Sequence, residues 1–257
     1  MSFNNHIWDG VYKTYQEALD NSVGSGFSSD IWLTAACDKI IEHRKRILLE
    51  NNPFPIGNRF SSLPPIVSTE IKNNETISIL DFGGGPGTQY ELLKDSISND
   101  ALINYSIVET KETVIAGREL FDDDKSIKFY TEFPNSKVNT VIAYSNSALQ
   151  YIDDWFHVIR KMTEENPVYL ILDDLPAGKF DEFVSIQNYY DSRIPHRFFN
   201  IANVVNSISE LGYTLLCKST YFGEILGKFS RWPMNNFDKN YQLDHSCNLL
   251  FKKLKKY

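Results

Sequence analysis

Cysteine is scarce in this chain. Cys37, Cys217 and Cys247 are odd in number, far apart and outside any CxxC or Cys/His grouping, which argues against both a disulfide framework and a zinc site. Glycine and proline, at 13 and 10 residues of 257, are too few for a collagenous or disordered chain. Long apolar runs are missing as well: Val168–Leu172 reaches strand length, far short of the ~20 residues that span a bilayer, so no transmembrane segment is expected. Positive charge is in deficit. With 26 Lys+Arg against 33 Asp+Glu the net charge is −7, so no global field attracts a phosphate backbone and no nucleic-acid partner is expected. The first ten residues carry Asn, His, Trp and Asp where a signal peptide needs a basic and then an apolar region, and the expectation is a cytoplasmic protein.

What remains is globular: 42% hydrophobic and 23% charged residues, in a length that suits one large domain with an appendage. Residues 1–75 look different from the rest. They are aromatic-rich, lack strand-like runs and end in the breaker-dense stretch 51–65 with Pro53, Pro55, Gly57, Pro64 and Pro65. Within them Ser29 or Asp30 caps a helix whose apolar positions Leu33, Cys37, Ile40, Ile41 and Leu48 recur at helical spacing. The expectation is an N-terminal helical appendage and linker over 1–75, followed by a main domain over 76–257.

From residue 77 short apolar runs at 77–82, 104–109, 127–130, 138–144 and 168–173 alternate with helical stretches near 87–97, 111–121, 153–165 and 200–211. That alternation predicts an α/β domain, doubly wound around a mostly parallel sheet with helices on both faces. After Gly212, residues 213–221 and 247–252 read as two further strands, and the excursion 222–246 between them has the length of a binding loop or lid. There is no internal repeat and no low-complexity segment.

The strongest local signal is the apolar strand from Ile77 running through Asp81 into Gly83, Gly84, Gly85 and Gly87, with a helix opening at Thr88. Glycine lets a backbone approach a ligand closely, and the free N–H groups of the following helix favour anionic or polar groups. The dinucleotide pattern G-x-G-x-x-G/A fits poorly, because Thr88 stands at its sixth position and Pro86 sits in the loop. The pattern D/E-x-G-x-G-x-G is met by Asp81-Phe82-Gly83-Gly84-Gly85-Pro86-Gly87. The second strand ends at Glu109, whose carboxylate has the capacity to accept two hydrogen bonds from a ribose diol. On these residues the chain resembles the class I S-adenosylmethionine-dependent methyltransferases.

The resemblance implies a seven-stranded Rossmann-like sheet, S-adenosylmethionine as cofactor, Asp81 near its ammonium, and an adenine contact in the segment of Glu132 and Phe133. Ser145, Asn146, Gln150 and Tyr151 follow the fourth strand, where open α/β sheets build their ligand crevice. The Asn/Asp-Pro-Pro-aromatic motif of nitrogen methylation is missing there. A narrower resemblance rests on Ile7-Trp8-Asp9-Gly10-Val11-Tyr12, Glu17-Ala18, Gly26-Phe27, Gln187-Asn188, the run Ile194 to Asn200 and Gly212-Tyr213. These look like a family of methyltransferases often encoded among surface-polysaccharide biosynthesis genes, which implies a sugar or glycan-precursor acceptor and hydroxyl methylation.

For the proton of such a hydroxyl, His196 is the first candidate base, in a proline-containing stretch expected to loop over the cleft, with Asp173 and Asp174 as the carboxylate alternative. His157 and His245 are weaker competitors. Asp173-Asp174 is also the one pair worth considering for Mg²⁺, with too few ligands to make a metal site. Arg193 and Arg197 are candidates to clamp a phosphate or carboxylate on the acceptor. Trp8, Tyr12, Tyr151, Tyr189 and Tyr190 are candidates to stack on it, with Trp8 and Tyr12 placed in a lid. The lysines at 252, 253, 255 and 256 fit a solvated tail or a contact with an anionic membrane surface. Two other readings stay open: a non-catalytic cofactor-binding partner in a polysaccharide-assembly complex, and a nicotinamide-dependent oxidoreductase.

Overall fold

The structure is a computed structural model describing residues 6–50, 61–71, 76–97, 102–134, 140–225 and 228–254. Most of the breaker-dense stretch, together with Lys255 and Lys256, lies outside the described residues. In chain order the elements are β1 (Trp8–Tyr12), α1 (Tyr15–Asp20), α2 (Asp30–Glu50), α3 (Leu63–Glu70), β2 (Thr76–Phe82), α4 (Thr88–Ser96), β3 (Leu102–Val108), α5 (Lys111–Leu120), β4 (Ile127–Tyr130), β5 (Ile142–Asn146), α6 (Trp155–Met162), β6 (Tyr169–Leu175), β7 (Ala177–Gly178), β8 (Phe183–Tyr189), β9 (Ser192–Asn200), α7 (Ile201–Glu210), β10 (Tyr213–Thr220), β11 (Glu224–Ile225), β12 (Lys228–Phe229) and β13 (Cys247–Lys253).

Seven strands form the main sheet in the order β10-β13-β6-β5-β2-β3-β4. The pairs from β6 to β4 are parallel, and only β13 runs against its neighbours. Both faces are covered, so the central strands are apolar on both sides. One face packs Ile77, Ile79, Tyr105 and Ile142 against Leu63 and Val67 of α3, Tyr90 and Leu93 of α4 and Val114 of α5. The other packs Ala143, Leu170, Leu172 and Phe251 against Val158 and Ile159 of α6 and Val204 and Ile208 of α7. Local signals set the helix starts: Asp154 accepts the His157 N–H at 2.9 Å ahead of α6, and Asn200 accepts the Ala202 and Asn203 N–H groups ahead of α7.

A second sheet, order β1-β8-β9-β7, has no counterpart in the expected architecture. Its hairpin β8–β9 is inserted between β6 and α7, and β1 pairs antiparallel with β8, Trp8 opposite Gln187. The N-terminal segment, expected to be helical, therefore also supplies a strand to a sheet built from the main domain. Pro195 disguised β9. The Arg193 N–H points away from β8, to the Val23 carbonyl at 2.7 Å, and the Phe199 N–H to Pro176; Pro195 shares their parity, so its missing N–H falls on that sparsely paired edge. The excursion after β10 is not a lid over the ligand crevice. Trp232, Met234, Phe237, Tyr241 and Leu243 pack with Trp8, Phe183 and Phe198 against the second sheet.

Candidate active site

Strand order in the main sheet reverses between β2 and β5, since β2 leads to β3 and β4 on one side and the later strands lie on the other. At such a switch point the loops leaving the carboxyl ends of the two strands diverge and open a crevice. A cleft of about 660 Å³ lies there. Its floor is Gly83, Gly84, Gly85 and Pro86 after β2, one wall is Glu109, Thr110 and Thr131 after β3 and β4, and the other is Asn146, Ser147, Ala148, Tyr151 and Ile152 after β5. Phe27, with Trp32, Ala36 and Lys39 from one face of α2, together with Tyr189 and Tyr190 from the β8–β9 hairpin, completes the enclosure.

The glycines have separate reasons. Gly85 has φ +59°, and a Cβ built on it meets nothing within 4 Å, so its open side is room a ligand could fill. A Cβ on Gly84 would collide with the Asp81 carboxylate below. The Gly85 N–H donates to Glu109 Oε1 at 3.2 Å and the Thr110 N–H to Oε2 at 2.7 Å. Each oxygen keeps a further lone pair for a ligand hydroxyl. Burial raises the Glu109 pKa, and the two N–H donors oppose that rise.

Asp81 lies beneath the loop rather than in the cleft wall and is wholly buried. The Tyr105 hydroxyl donates to its Oδ2 at 2.7 Å, while Oδ1 has no partner. Burial drives its pKa up to about 7, with the charges of Glu109 and Asp173 adding to the rise. Asp173, buried at the end of β6, accepts from Ser61 and, at 3.1 Å, from Tyr144; burial raises its pKa to about 6. Asp174 accepts from Ser246, has φ +52° and is raised by burial to about 6 as well. Neither aspartate lines the cleft, but Ser147, whose backbone N–H donates to the Asp173 carbonyl at 3.0 Å, does. Among the described residues no group of three or more His, Cys, Asp or Glu side chains is placed to hold a metal ion, and no helix is long and apolar enough to cross a membrane.

Several sequence expectations need correction. His196 is a residue of β9, not of a loop: it is buried among Trp8, Tyr151, Phe198 and Trp232, outside the cleft. Burial pushes its pKa down to about 3, so the ring is neutral and a poor proton acceptor at physiological pH. Both candidate clamps are committed elsewhere. Arg193 reaches Asp9 at 3.2 Å, and Arg197 bonds Glu182 and the Asp153 carbonyl, the latter at 2.9 Å. Trp8 stacks on Trp232 and Tyr12 packs near Val184 and Ile186, so neither closes over the cleft.

Glu132 is exposed and Phe133 stacks on Phe82; Thr131 takes the wall position instead. Ser145 donates to the Phe82 carbonyl at 2.9 Å and Gln150 to Ser147 at 3.0 Å, which leaves Asn146 and Tyr151 as the cleft-lining pair of that segment. Trp32, Ala36 and Lys39 escaped the sequence reading, although their spacing puts them on one helical face, because nothing local says what that face covers.

No protein-family profile matches the chain, and no curated protein sequence matches it significantly. Solved structures do match. A Clostridium acetobutylicum S-adenosylmethionine-dependent methyltransferase aligns over 84% of this chain and 99% of its own at 12% identity, TM-score 0.51. A Listeria monocytogenes protein assigned to the same class aligns over 74% and 98% at 10% identity, TM-score 0.51. A chain of the Haloferax volcanii complex between the Trm112 methyltransferase activator and a protein assigned as a methyltransferase aligns over 89% and 96% at 10% identity, TM-score 0.53. At such identities the likeness is one of architecture: the chain has the Rossmann-like fold of the class I S-adenosylmethionine-dependent methyltransferases.

Proposed function

We propose that the protein is an S-adenosylmethionine-dependent methyltransferase acting on a hydroxyl oxygen of a small molecule, a sugar or glycan precursor. The observation that carries this reading is the convergence of Gly85's open side and Glu109's carboxylate in one cleft at the switch point of a methyltransferase-type sheet. The residues fit the cofactor. Gly85 leaves room for close backbone approach, Glu109 has acceptor capacity for a ribose diol, and the unpartnered Asp81 Oδ1 puts negative potential under the loop, where an ammonium is favoured.

The cofactor supplies an electrophilic methyl group on a positively charged sulfur. The chain's own task is to hold the acceptor oxygen in line with that methyl and to keep water out, an orientation effect worth up to ~7–11 kcal/mol in favourable cases. Phe27, Trp32, Tyr189 and Tyr190 do the excluding. In this reading Ser147, a polar side chain of the cleft lining, receives the acceptor hydroxyl. Sugar rings pack their C–H faces on such aromatic walls, which supports the glycan reading.

The test is calorimetry of the purified protein with S-adenosylmethionine, S-adenosylhomocysteine and NADH. Micromolar binding of both sulfur ligands, about −8 kcal/mol, with no NADH signal is the expected result. NADH binding without them would return the protein to the oxidoreductases, and cofactor binding with no turnover on any hydroxylated acceptor would make it a non-catalytic partner.

A further inference from the structure

The two ends of the cleft differ in chemistry. One holds the glycine loop and Glu109; the other is walled by rings from four separate segments. Phe27 comes from a single 3-10 turn at Gly26–Ser28, Trp32 from the first turn of α2, Tyr151 from the turn Leu149–Tyr151, and Tyr189 from the end of β8. Phe27 is their hub, 5.2 Å from Trp32 at 85°, 4.6 Å from Tyr151 at 70° and 5.5 Å from Tyr189 at 50° between ring planes. None of these contacts is a face-to-face stack; the rings meet at angles of 50° to 85° and form a wall of rings set across one another.

The wall is tied together before any ligand arrives. Val23 and Arg193 exchange backbone hydrogen bonds at 3.0 and 2.7 Å, and the Gly26 N–H donates to Ser192 Oγ at 3.0 Å, which joins the Phe27 turn to the hairpin carrying Tyr189. The Tyr151 hydroxyl donates to Gln187 at 2.8 Å, and its carbonyl accepts from Tyr15 at 2.6 Å. Rings held this way cost little further ordering on binding. Among the described residues the charged ones lining the cleft are Lys39 and Glu109, and Lys39 is about two helical turns from Trp32. Polar side chains next to Tyr151's turn in the lining are Asn146, whose buried Oδ1 has no partner, and Ser147. Ser147 has φ +53° and its Oγ accepts from Gln150 at 3.0 Å, while Asp174 has φ +52°, so two non-glycine residues near this wall sit in left-handed backbone. Such conformations cost energy and persist where the surroundings demand them.

We infer that this end of the cleft takes the acceptor by an uncharged ring with a flat apolar face, seated among Phe27, Trp32, Tyr151 and Tyr189, with a ring hydroxyl directed at Ser147. The inference names the acceptor class for the methyltransferase reading and rests on it. A pyranose and a phenol share this chemistry.

The test is ligand-detected NMR and calorimetry on protein saturated with S-adenosylhomocysteine, using phenyl β-D-glucopyranoside, methyl β-D-glucopyranoside and phenol as probes. At least one probe should bind saturably and compete with the others. Trp32→Ala and Tyr189→Ala should each weaken it at least tenfold, Trp32→Phe should restore most of the loss, and S-adenosylhomocysteine affinity should stay within about threefold. Which of methyl glucoside and phenol binds identifies the source of the ring. No saturable binding by any probe, or equal binding by both alanine variants, overturns the inference. Failure of the methyltransferase reading is seen separately, as absent S-adenosylhomocysteine binding, in which case the same titrations on the free protein still decide the ring site.

Discussion

Asp81→Asn tests the electrostatics under the glycine loop. The carboxyl is wholly buried and its pKa is raised from 3.8 to about 7. In an unfolded chain the group ionises near 4, so between those values the native state binds the proton that the unfolded state has released. Folding stability therefore falls as pH rises through this window and levels off above 7. Between pH 5 and pH 8 the effective span is about two units, and at 1.36 kcal/mol per unit this one group costs the native state about 3 kcal/mol. The amide cannot ionise, so Asp81→Asn loses that part of the slope. Any unpaired amide hydrogen adds a penalty that is the same at every pH. Urea unfolding of both proteins at pH 5, 6, 7 and 8 isolates the difference, since Asp173 and Asp174, raised to about 6, titrate in both. The variant should gain about 3 kcal/mol relative to wild type on going from pH 5 to pH 8. Parallel curves for the two proteins would refute the buried-charge argument. In the proposed reading the same ionisation strengthens binding of a cationic cofactor over this pH range, and Asp81→Asn should flatten that dependence.

Three further outcomes follow from the site. Gly85→Val places a side chain in the open space of the cleft at φ +59°, and should abolish S-adenosylhomocysteine binding by calorimetry while the circular dichroism stays native; unchanged affinity would remove the loop from the cofactor site. Glu109→Ala should weaken the same binding by on the order of 1.5–3 kcal/mol, the range for hydrogen bonds to a charged group, and a loss below a few tenths would mean that the ribose contact is elsewhere. His196→Leu fills the aromatic box around a ring already neutral at pH 7. The shape of the pH–rate profile should therefore be preserved, whereas disappearance of a limb would restore His196 as the base.

The glycine loop was legible because its signals are contiguous. An apolar strand, Asp81, four closely spaced glycines and a helix start lie within a dozen residues, and Glu109 ends the next strand; the five expected runs became β2 to β6 with ends shifted by a few residues at most. The second sheet was not legible. β9 contains a proline, and β1 finds its partner most of the chain's length away, with Asn188 bonded to the backbone of His6 and Ile7. Placing His196, Arg193 and Arg197 over the cleft failed for a related reason. Residue type says what a side chain could do in water, while these three are enclosed by rings or matched with carboxylates from distant segments.

By itself, then, the sequence determined the doubly wound sheet, the position of its ligand loop and the acidic end of the second strand, all of which follow from periodicity and backbone chemistry over short spans. Only the tertiary structure decided what encloses the cleft, which polar groups face it and which are neutralised by burial, because exposure, pKa and partnership are properties of an environment assembled from Trp32, Ser147 and Tyr189, which lie far apart along the chain.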